Sequence, residues 1–263
     1  MLDSFIKAKK KELHWLQSRN EAGLLPNVAS RRDRGFASAL QAHPGVCVIA
    51  EYKRGSPSKG VINKELSPQE AGSIFFRSGA AAVSVLTERE HFLGSFEFLH
   101  SMQGQGLALL RKDFLFHPLQ IRHTASSPAA AVLLIMGLLH RTGAELSELI
   151  PCCLDYGLEP VVEITSSREL DAAKTAGARV IQVNNRDLST LRVDDTVSRE
   201  VVRDREEGEI WISASGIQGS EQVTLLGEWG YDACLVGTSL MQNPDPEGFL
   251  AHLVRAGRKG GGN

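Results

Sequence analysis

Short apolar runs recur along this chain at nearly even spacing. They are Val46–Ala50, Ala82–Leu86, Leu107–Leu110, Ala131–Ile135, Pro160–Val162, Val180–Val183, Ile210–Ile212 and Cys234–Val236, eight in all. Each is short, dominated by Val, Ile, Leu and Ala, and has no polar face. That is the pattern of a strand buried on both sides. Segments of helical period lie between them: Glu70–Ser78, Glu97–Gln103, Glu145–Tyr156, Ser167–Ala176, Thr196–Arg203 and Ser220–Gly230. Several begin at Ser or Pro and end before Gly, as helix caps prefer. Gly79, Gly157, Gly177 and Gly230 each close a helical segment just ahead of a strand. The repeating unit is helix, glycine, strand, polar loop.

Eight such units in about 210 residues predict a (β/α)₈ TIM barrel, an α/β fold. A doubly wound open sheet also alternates strand and helix. The even spacing and the lack of G-x-G-x-x-G after the first run favour closure. No Pro/Gly/Ser-rich linker divides the chain, so one domain is expected, with the barrel over 46–257. Residues 1–45 are read as an N-terminal helical extension packed on the barrel. Within it Asp3–Ser18 is lysine-rich and amphipathic through Phe5, Ile6, Leu13, Trp15 and Leu16, and is expected to lie across one barrel end. The glycine-rich basic segment 258–263 is expected to fray as a flexible tail.

Composition narrows the function classes. A net charge of −2 with dispersed Lys and Arg leaves no electrostatic footprint for nucleic acid. No apolar run reaches membrane-spanning length; the longest, Ala129–Leu139, suits a buried strand plus its loop. Met1–Phe5 lacks the layout of a signal peptide. Four cysteines are too few for a disulfide framework: Cys152 and Cys153 adjoin in a helical segment, and Cys47 and Cys234 sit in strand runs. A reduced, cytoplasmic protein is expected.

Catalytic groups of such barrels gather at the C-terminal strand ends. The first run ends in Glu51 and Lys53, which period-two geometry points to one side. The third ends in Arg111-Lys112-Asp113-Phe114, the fifth in Glu163, and the sixth in Asn184-Asn185-Arg186-Asp187. The seventh ends in Ser213-Ala214-Ser215-Gly216 and the eighth in Gly237-Thr238-Ser239. Charged residues after strands are often merely solvated, and Arg111, Asp113 and Asp187 also read as ion-pair braces between loops. Lys112 and Glu163 are different, because they emerge on odd strands beside Glu51 and Lys53. Two ammoniums and two carboxylates in one pocket shift one another's proton affinity, as acid–base catalysis requires. Ser215-Gly216 and Gly237-Thr238 each precede a helical segment, and the last two loops are the usual phosphate site of these barrels. Ser56 and Lys59, in the loop after the first run, are placed to close over that anion. The eight histidines show no metal-ligand spacing. His91 reads as a surface histidine or a ligand contact, and His117, before Pro118, as a helix start.

These residues carry a resemblance. The stretch Ile49–Gly60 (Ile-Ala-Glu-Tyr-Lys-Arg-Gly-Ser-Pro-Ser-Lys-Gly) resembles the indole-3-glycerol-phosphate synthase family. So do Ser84–Thr87 with Phe92 and Gly94-Ser95, Leu110–Phe114, Val132–Ile135, Val162-Glu163, Asn184–Leu188, Ser215–Ile217 and Val236-Gly237. The resemblance runs from about residue 3 to residue 250 and implies the barrel and its N-terminal helix. The family converts 1-(2-carboxyphenylamino)-1-deoxyribulose 5-phosphate to indole-3-glycerol phosphate by ring closure, decarboxylation and dehydration, in tryptophan biosynthesis. It uses no cofactor and no metal.

By resemblance, Lys112 is the general acid that protonates the ketone, and Glu163 the acid–base partner, sharing later proton transfers with Lys53. Lys53 also holds the substrate carboxylate, with Glu51 and Asn184 fixing charges and hydroxyls. Arg186, Ser215, the backbone around Gly216, Gly237 and Thr238, and Ser56 bind substrate and phosphate, and Phe92, Phe114 and Leu133 line the anthranilate pocket. The implied partner is a small molecule, an anthranilate-derived sugar phosphate, with no nucleic acid and no membrane. Transient contact with other tryptophan-pathway enzymes is the one macromolecular association implied.

One departure stands out. The family usually carries Glu where this chain has Ala214. Pro128–Ala131 also departs from the more usual Gly-Ala-Asp-Ala, at the start of a strand and away from the chemistry. Three readings stay open: the synthase itself, a diverged paralogue that closes a modified anthranilate derivative, and a catalytically silent phosphate-binding barrel. Retention of Glu51, Lys53, Lys112, Glu163 and Asn184 favours an active enzyme, since buried charges without a task cost stability.

Overall fold

Each apolar run becomes one strand of a closed parallel barrel in the computed structural model, which describes residues 2–29, 35–187, 190 and 192–259. The strands are β1 (Cys47–Tyr52), β2 (Ala82–Leu86), β3 (Ala108–Lys112), β4 (Ala131–Ile135), β5 (Glu159–Ile164), β6 (Val180–Asn184), β7 (Ile210–Ala214) and β8 (Ala233–Val236). Every strand pairs with its neighbours in sequence, and β1 closes the ring against β8. The helices are α1 (Leu2–Glu21), α2 (Phe36–Gln41), α3 (Pro68–Arg77), α4 (Glu97–Ser101), α5 (Pro118–Ala125) and α6 (Met136–Thr142). They continue with α7 (Leu146–Asp155), α8 (Ser167–Thr175), α9 (Thr196–Val201), α10 (Ser220–Trp229), α11 (Thr238–Met241) and α12 (Pro246–Lys259).

Local chemistry accounts for the boundaries. Ser67 caps α3 in a reciprocal capping box: its hydroxyl accepts from Glu70 N at 3.3 Å, and the Glu70 carboxylate accepts from Ser67 N at 3.0 Å. His117 does start a helix, its Nδ1 accepting from Leu119 N at 3.1 Å at the head of α5. Gly79, Gly157, Gly177 and Gly230 all adopt positive φ, between 64° and 91°, where the chain leaves a helix for a strand.

The structure differs from the sequence pattern at several element ends. Strands β3 and β5 run on through Lys112 and Ile164, because the charged side chains that end the apolar runs have partners and the backbone ladder continues past them. The run Ala129–Leu139 is a strand followed at once by α6, rather than by a loop. A helix that is apolar all round cannot be told from a strand by periodicity. Finally, α12 continues through Lys259, two residues into the segment expected to fray; residues 260–263 lie outside the described residues.

α1 packs against α5 and α6 and is tied to the barrel by buried charges. Lys9, only 3% exposed, donates to Asp113 Oδ2 at 2.9 Å and also pairs with Glu12. Arg111 donates to the same Asp113 oxygen at 2.9 Å, to Glu12 Oε1 at 2.9 Å, to Thr87 Oγ1 at 3.0 Å and to Thr124 Oγ1 at 2.9 Å. Its guanidinium also lies 5.0 Å from the centre of the Phe96 ring. Burial, helped by Arg111 and resisted by Asp113, lowers the Lys9 ammonium to about 8. For Asp113 burial acts to raise the carboxyl, but Lys9, Arg111 and Thr87 outweigh it and hold it well below the usual carboxylate range. Arg111 and Asp113 are thus braces.

A depressed carboxyl contributes stability that is complete above its unfolded value, about 4, and is lost as pH falls through its lower folded value. Asp113→Asn should therefore lower stability near neutrality by about 3 kcal/mol. It should also flatten the acid limb of stability against pH, read by denaturant unfolding from pH 7 to 3. An acid limb as steep as that of the parent would contradict this role.

Candidate active site

The strands deliver their charged ends to one mouth as two ion pairs. Lys53 Nζ lies 2.6 Å from Glu51 Oε1, so the two do share a side. Lys112 Nζ lies 3.2 Å from Glu163 Oε2. Both carboxylates are almost wholly buried, at 3% and 2% exposure. Burial opposes the charge on Glu51, but Lys53, Lys112 and Arg186 outweigh it and keep the carboxyl below its ordinary range.

A hydrogen-bonded chain runs on from Glu163 along β6 to β7. Asn184 Nδ2 donates to Glu163 Oε1 at 3.0 Å. Asn184 Oδ1 in turn accepts from Ser215 Oγ at 2.9 Å and from Arg186 N at 3.0 Å. The Asn184 amide is therefore fixed in orientation, as a donor toward the carboxylate and an acceptor toward the loops.

These groups line a cavity of about 750 Å³ at the C-terminal end of the barrel. All fifteen residues singled out in the sequence surround it: Glu51, Lys53, Ser56, Lys59, Phe92, Lys112, Phe114, Leu133, Glu163, Asn184, Arg186, Ser215, Gly216, Gly237 and Thr238. One wall is aromatic. Phe92 and Phe114 have ring centres 6.0 Å apart, and Phe5 of α1 stacks on Phe114 at 4.1 Å. Leu86, Leu133 and Ile135 extend this apolar side.

The opposite wall is made of short loops drawn together by hydrogen bonds. Ser239 Oγ donates to Ile217 O at 2.8 Å, joining α11 to the loop after β7. Asn63 Nδ2 donates to Met241 O at 3.1 Å, joining the loop after β1 to α11. That loop forms a small hairpin in which Gly55–Ser56 pairs with Gly60–Val61. Ser215 has φ of 72° and Gly216 of 90°, two successive left-handed residues. For serine that conformation costs about 1–2 kcal/mol, and its bond to Asn184 offsets part of it. Gly237 touches Glu51 so closely that a Cβ there would lie 2.9 Å from the Glu51 Cδ and 3.1 Å from its Cβ.

Phe5 and Gln182 are among the residues at the site that escaped the sequence reading. Phe5 was legible only as an apolar position of an amphipathic helix. Gln182, fully buried on β6, donates through Nε2 to Glu163 Oε2. Its one signal was a polar residue at an inward position of an otherwise apolar run. His91 proves to be held between Glu88 Oε1, at 3.2 Å, and the Phe5 ring, at 4.7 Å. Ala214 lies on the cavity wall beside Asn184 in register, buried at 2% exposure.

Comparison with solved structures finds the same fold in proteins of low sequence identity. The chain superposes on 3-hexulose-6-phosphate synthase from Salmonella typhimurium with a TM-score of 0.62 at 15% identity, covering 80% of this chain and 98% of that one. On (S)-3-O-geranylgeranylglyceryl phosphate synthase from Thermoplasma acidophilum the TM-score is 0.57 at 14% identity, covering 85% and 97%. At such identities the likeness concerns the fold alone.

The sequence relatives are much nearer. Indole-3-glycerol phosphate synthase from Carboxydothermus hydrogenoformans is 44% identical over 211 residues, 80% of this chain and 79% of that protein. The enzyme of that name from Syntrophobacter fumaroxidans is 38% identical over 265 residues, 97% of each chain. A model of the family matches residues 2–253, so the chain belongs to the indole-3-glycerol phosphate synthase family.

Proposed function

We propose that this chain is an indole-3-glycerol-phosphate synthase, a carboxy-lyase of tryptophan biosynthesis. Its substrate is 1-(2-carboxyphenylamino)-1-deoxyribulose 5-phosphate. The observation that carries the proposal is the meeting, in one cavity, of the Lys112–Glu163 pair, an aromatic wall and a set of small-residue loops. A flat aromatic acid joined to a sugar phosphate needs an apolar slot, an ammonium for its carboxylate and an anion cradle.

In this reading Phe92, Phe114 and Leu133 hold the anthranilate ring. Lys53, steadied by Glu51, meets its carboxylate. Arg186, Ser56, Lys59, Ser215 and the backbone of Gly216, Gly237 and Thr238 hold the phosphate end. Ring closure forms a carbon–carbon bond between the aromatic carbon bearing the carboxylate and the ketone carbon, while Lys112 protonates the ketone oxygen. Loss of carbon dioxide restores the electron pair to the ring. Loss of the hydroxyl as water, with Glu163 taking and returning a proton, then completes the indole. The 3.2 Å contact between Lys112 and Glu163 supplies a route by which the two groups exchange protons between steps.

The partner on this account is a small anionic molecule rather than nucleic acid or membrane, with at most transient contact to other enzymes of the pathway. Among the described residues no helix is long and apolar enough to cross a membrane, and all four cysteines are free thiols, which suits the cytoplasm.

A second reading rests on Ala214. A pocket lacking a carboxylate at that position suits a substrate with a modified ring. The silent-barrel reading is disfavoured by the two intact buried pairs.

Purified protein incubated with the carboxyphenylamino-deoxyribulose phosphate should generate indole absorbance and fluorescence; a bound but unconverted substrate would sink the proposal. Lys112→Ala should lower kcat by ~10²–10⁴-fold while leaving substrate affinity nearly unchanged. Undiminished turnover would refute its role as the acid. Ala214→Glu is expected to raise kcat with the unmodified substrate; a fall would favour the modified-ring reading.

A further inference from the structure

Gln182 sits beneath the proposed acid–base residue with one half of its amide unused. It is fully buried, faces the same side of β6 as Asn184, and is the register partner of Glu163 on β5. Its Nε2 donates to Glu163 Oε2, while its Oε1 has no hydrogen-bond partner among the described residues. A buried amide oxygen left unpaired is costly, and its presence at a reactive carboxylate calls for an explanation.

The two oxygens of Glu163 are not equivalent. Oε1 faces Asn184, whose amide cannot turn over, because its own oxygen is already bound by Ser215 Oγ and Arg186 N. A proton on Oε1 would therefore confront a fixed N–H donor. Oε2 faces Lys112 and Gln182. Gln182 can turn its amide by half a rotation without breaking any bond at Oε1, since none exists there. After that turn, a protonated Oε2 would donate to Gln182 Oε1.

We propose that Gln182 is a positioning residue for Glu163. Its amide alternates between donating to the carboxylate and accepting from the carboxylic acid, which makes Oε2 the oxygen that takes up and releases the proton. The proton arrives on Oε2 from substrate or Lys112 and leaves from the same atom, so Glu163 returns to its starting form. The charged groups around this carboxyl are Lys112 from β3, Glu51 and Lys53 from β1, and Arg186 after β6. Leu133 and Ile135 of β4 and Ala214 of β7 bring no charge. The inference rests on the acid–base role of Glu163 in the proposed reaction.

The test is the kcat–pH profile of Gln182→Met, which keeps a long unbranched side chain but removes both amide groups. Losing a donor to a buried carboxylate favours its neutral form. The acid limb should move to higher pH by about one unit, with kcat down about tenfold and KM within about twofold. A role in packing alone would lower thermal stability and leave the limb in place, and a profile superimposable on the parent overturns the assignment. Glu163→Gln is the control. If it keeps parental kcat the functional reading fails, whereas loss of activity there beside an unaltered Gln182→Met removes only the role of Gln182. Independently of any variant's folding, the side-chain amide of Gln182 in ¹⁵N-glutamine-labelled protein should titrate with the midpoint of the acid limb. That titration should vanish in Glu163→Gln; a resonance flat with pH also refutes the proposal.

Discussion

Carboxylates removed from water organise the mouth of this barrel. Taking one such charge out of solvent costs several kcal/mol unless partners surround it. Glu51 answers with Lys53, and Glu163 with Lys112 and the amides of Gln182 and Asn184. Both ammoniums keep some exposure, 13% and 18% of their side chains, and both border the cavity. The same contacts therefore neutralise the interior and present cations to an anionic ligand. Because two amide donors remain on Glu163 without Lys112, the fold does not depend on that lysine alone.

A second charged network does a different job at the same end. Lys9, Glu12, Arg111 and Asp113 clasp α1 to β3, and Arg111 stands next in sequence to Lys112. Neighbouring residues of a strand point to opposite faces. Lys112 accordingly faces the cavity while Arg111 braces the helical layer. The helix so anchored carries Phe5 to the aromatic wall, so the docking of α1 and the shape of the slot are one structural fact.

The barrel was legible because strands covered on both faces read as unbroken apolar runs, and the glycines before them mark the changes of direction. Glu51, Lys112, Glu163 and Asn184 were legible because a charge or amide at the end of such a run is out of place unless it has a task. Pairing was only half legible: period-two spacing puts Glu51 and Lys53 on one side, but nothing in it tells that Lys112 turns to Glu163 across two strands. Gln182 was lost inside a run whose other members are apolar, and its meaning depends on a partner on the adjacent strand. Lys9 was not distinguishable from the other lysines of a lysine-rich helix, because burial of a lysine depends on a carboxylate that only folding brings to it. Short helices such as α2 and α11 fall below the length at which periodicity says anything.

The close approach of Gly237 to Glu51 carries a consequence for how this chain can vary. Any side chain at 237 would claim space the Glu51 carboxylate already fills, and Glu51 cannot withdraw without leaving Lys53. Positions 51 and 237 therefore behave as one volume divided between the first and last strands of the ring. An enlargement at 237 is tolerable only with a reduction at 51, whereas glycine has nothing to give up for a larger residue at 51, so drift at either site is constrained by its counterpart across the seam where the barrel closes.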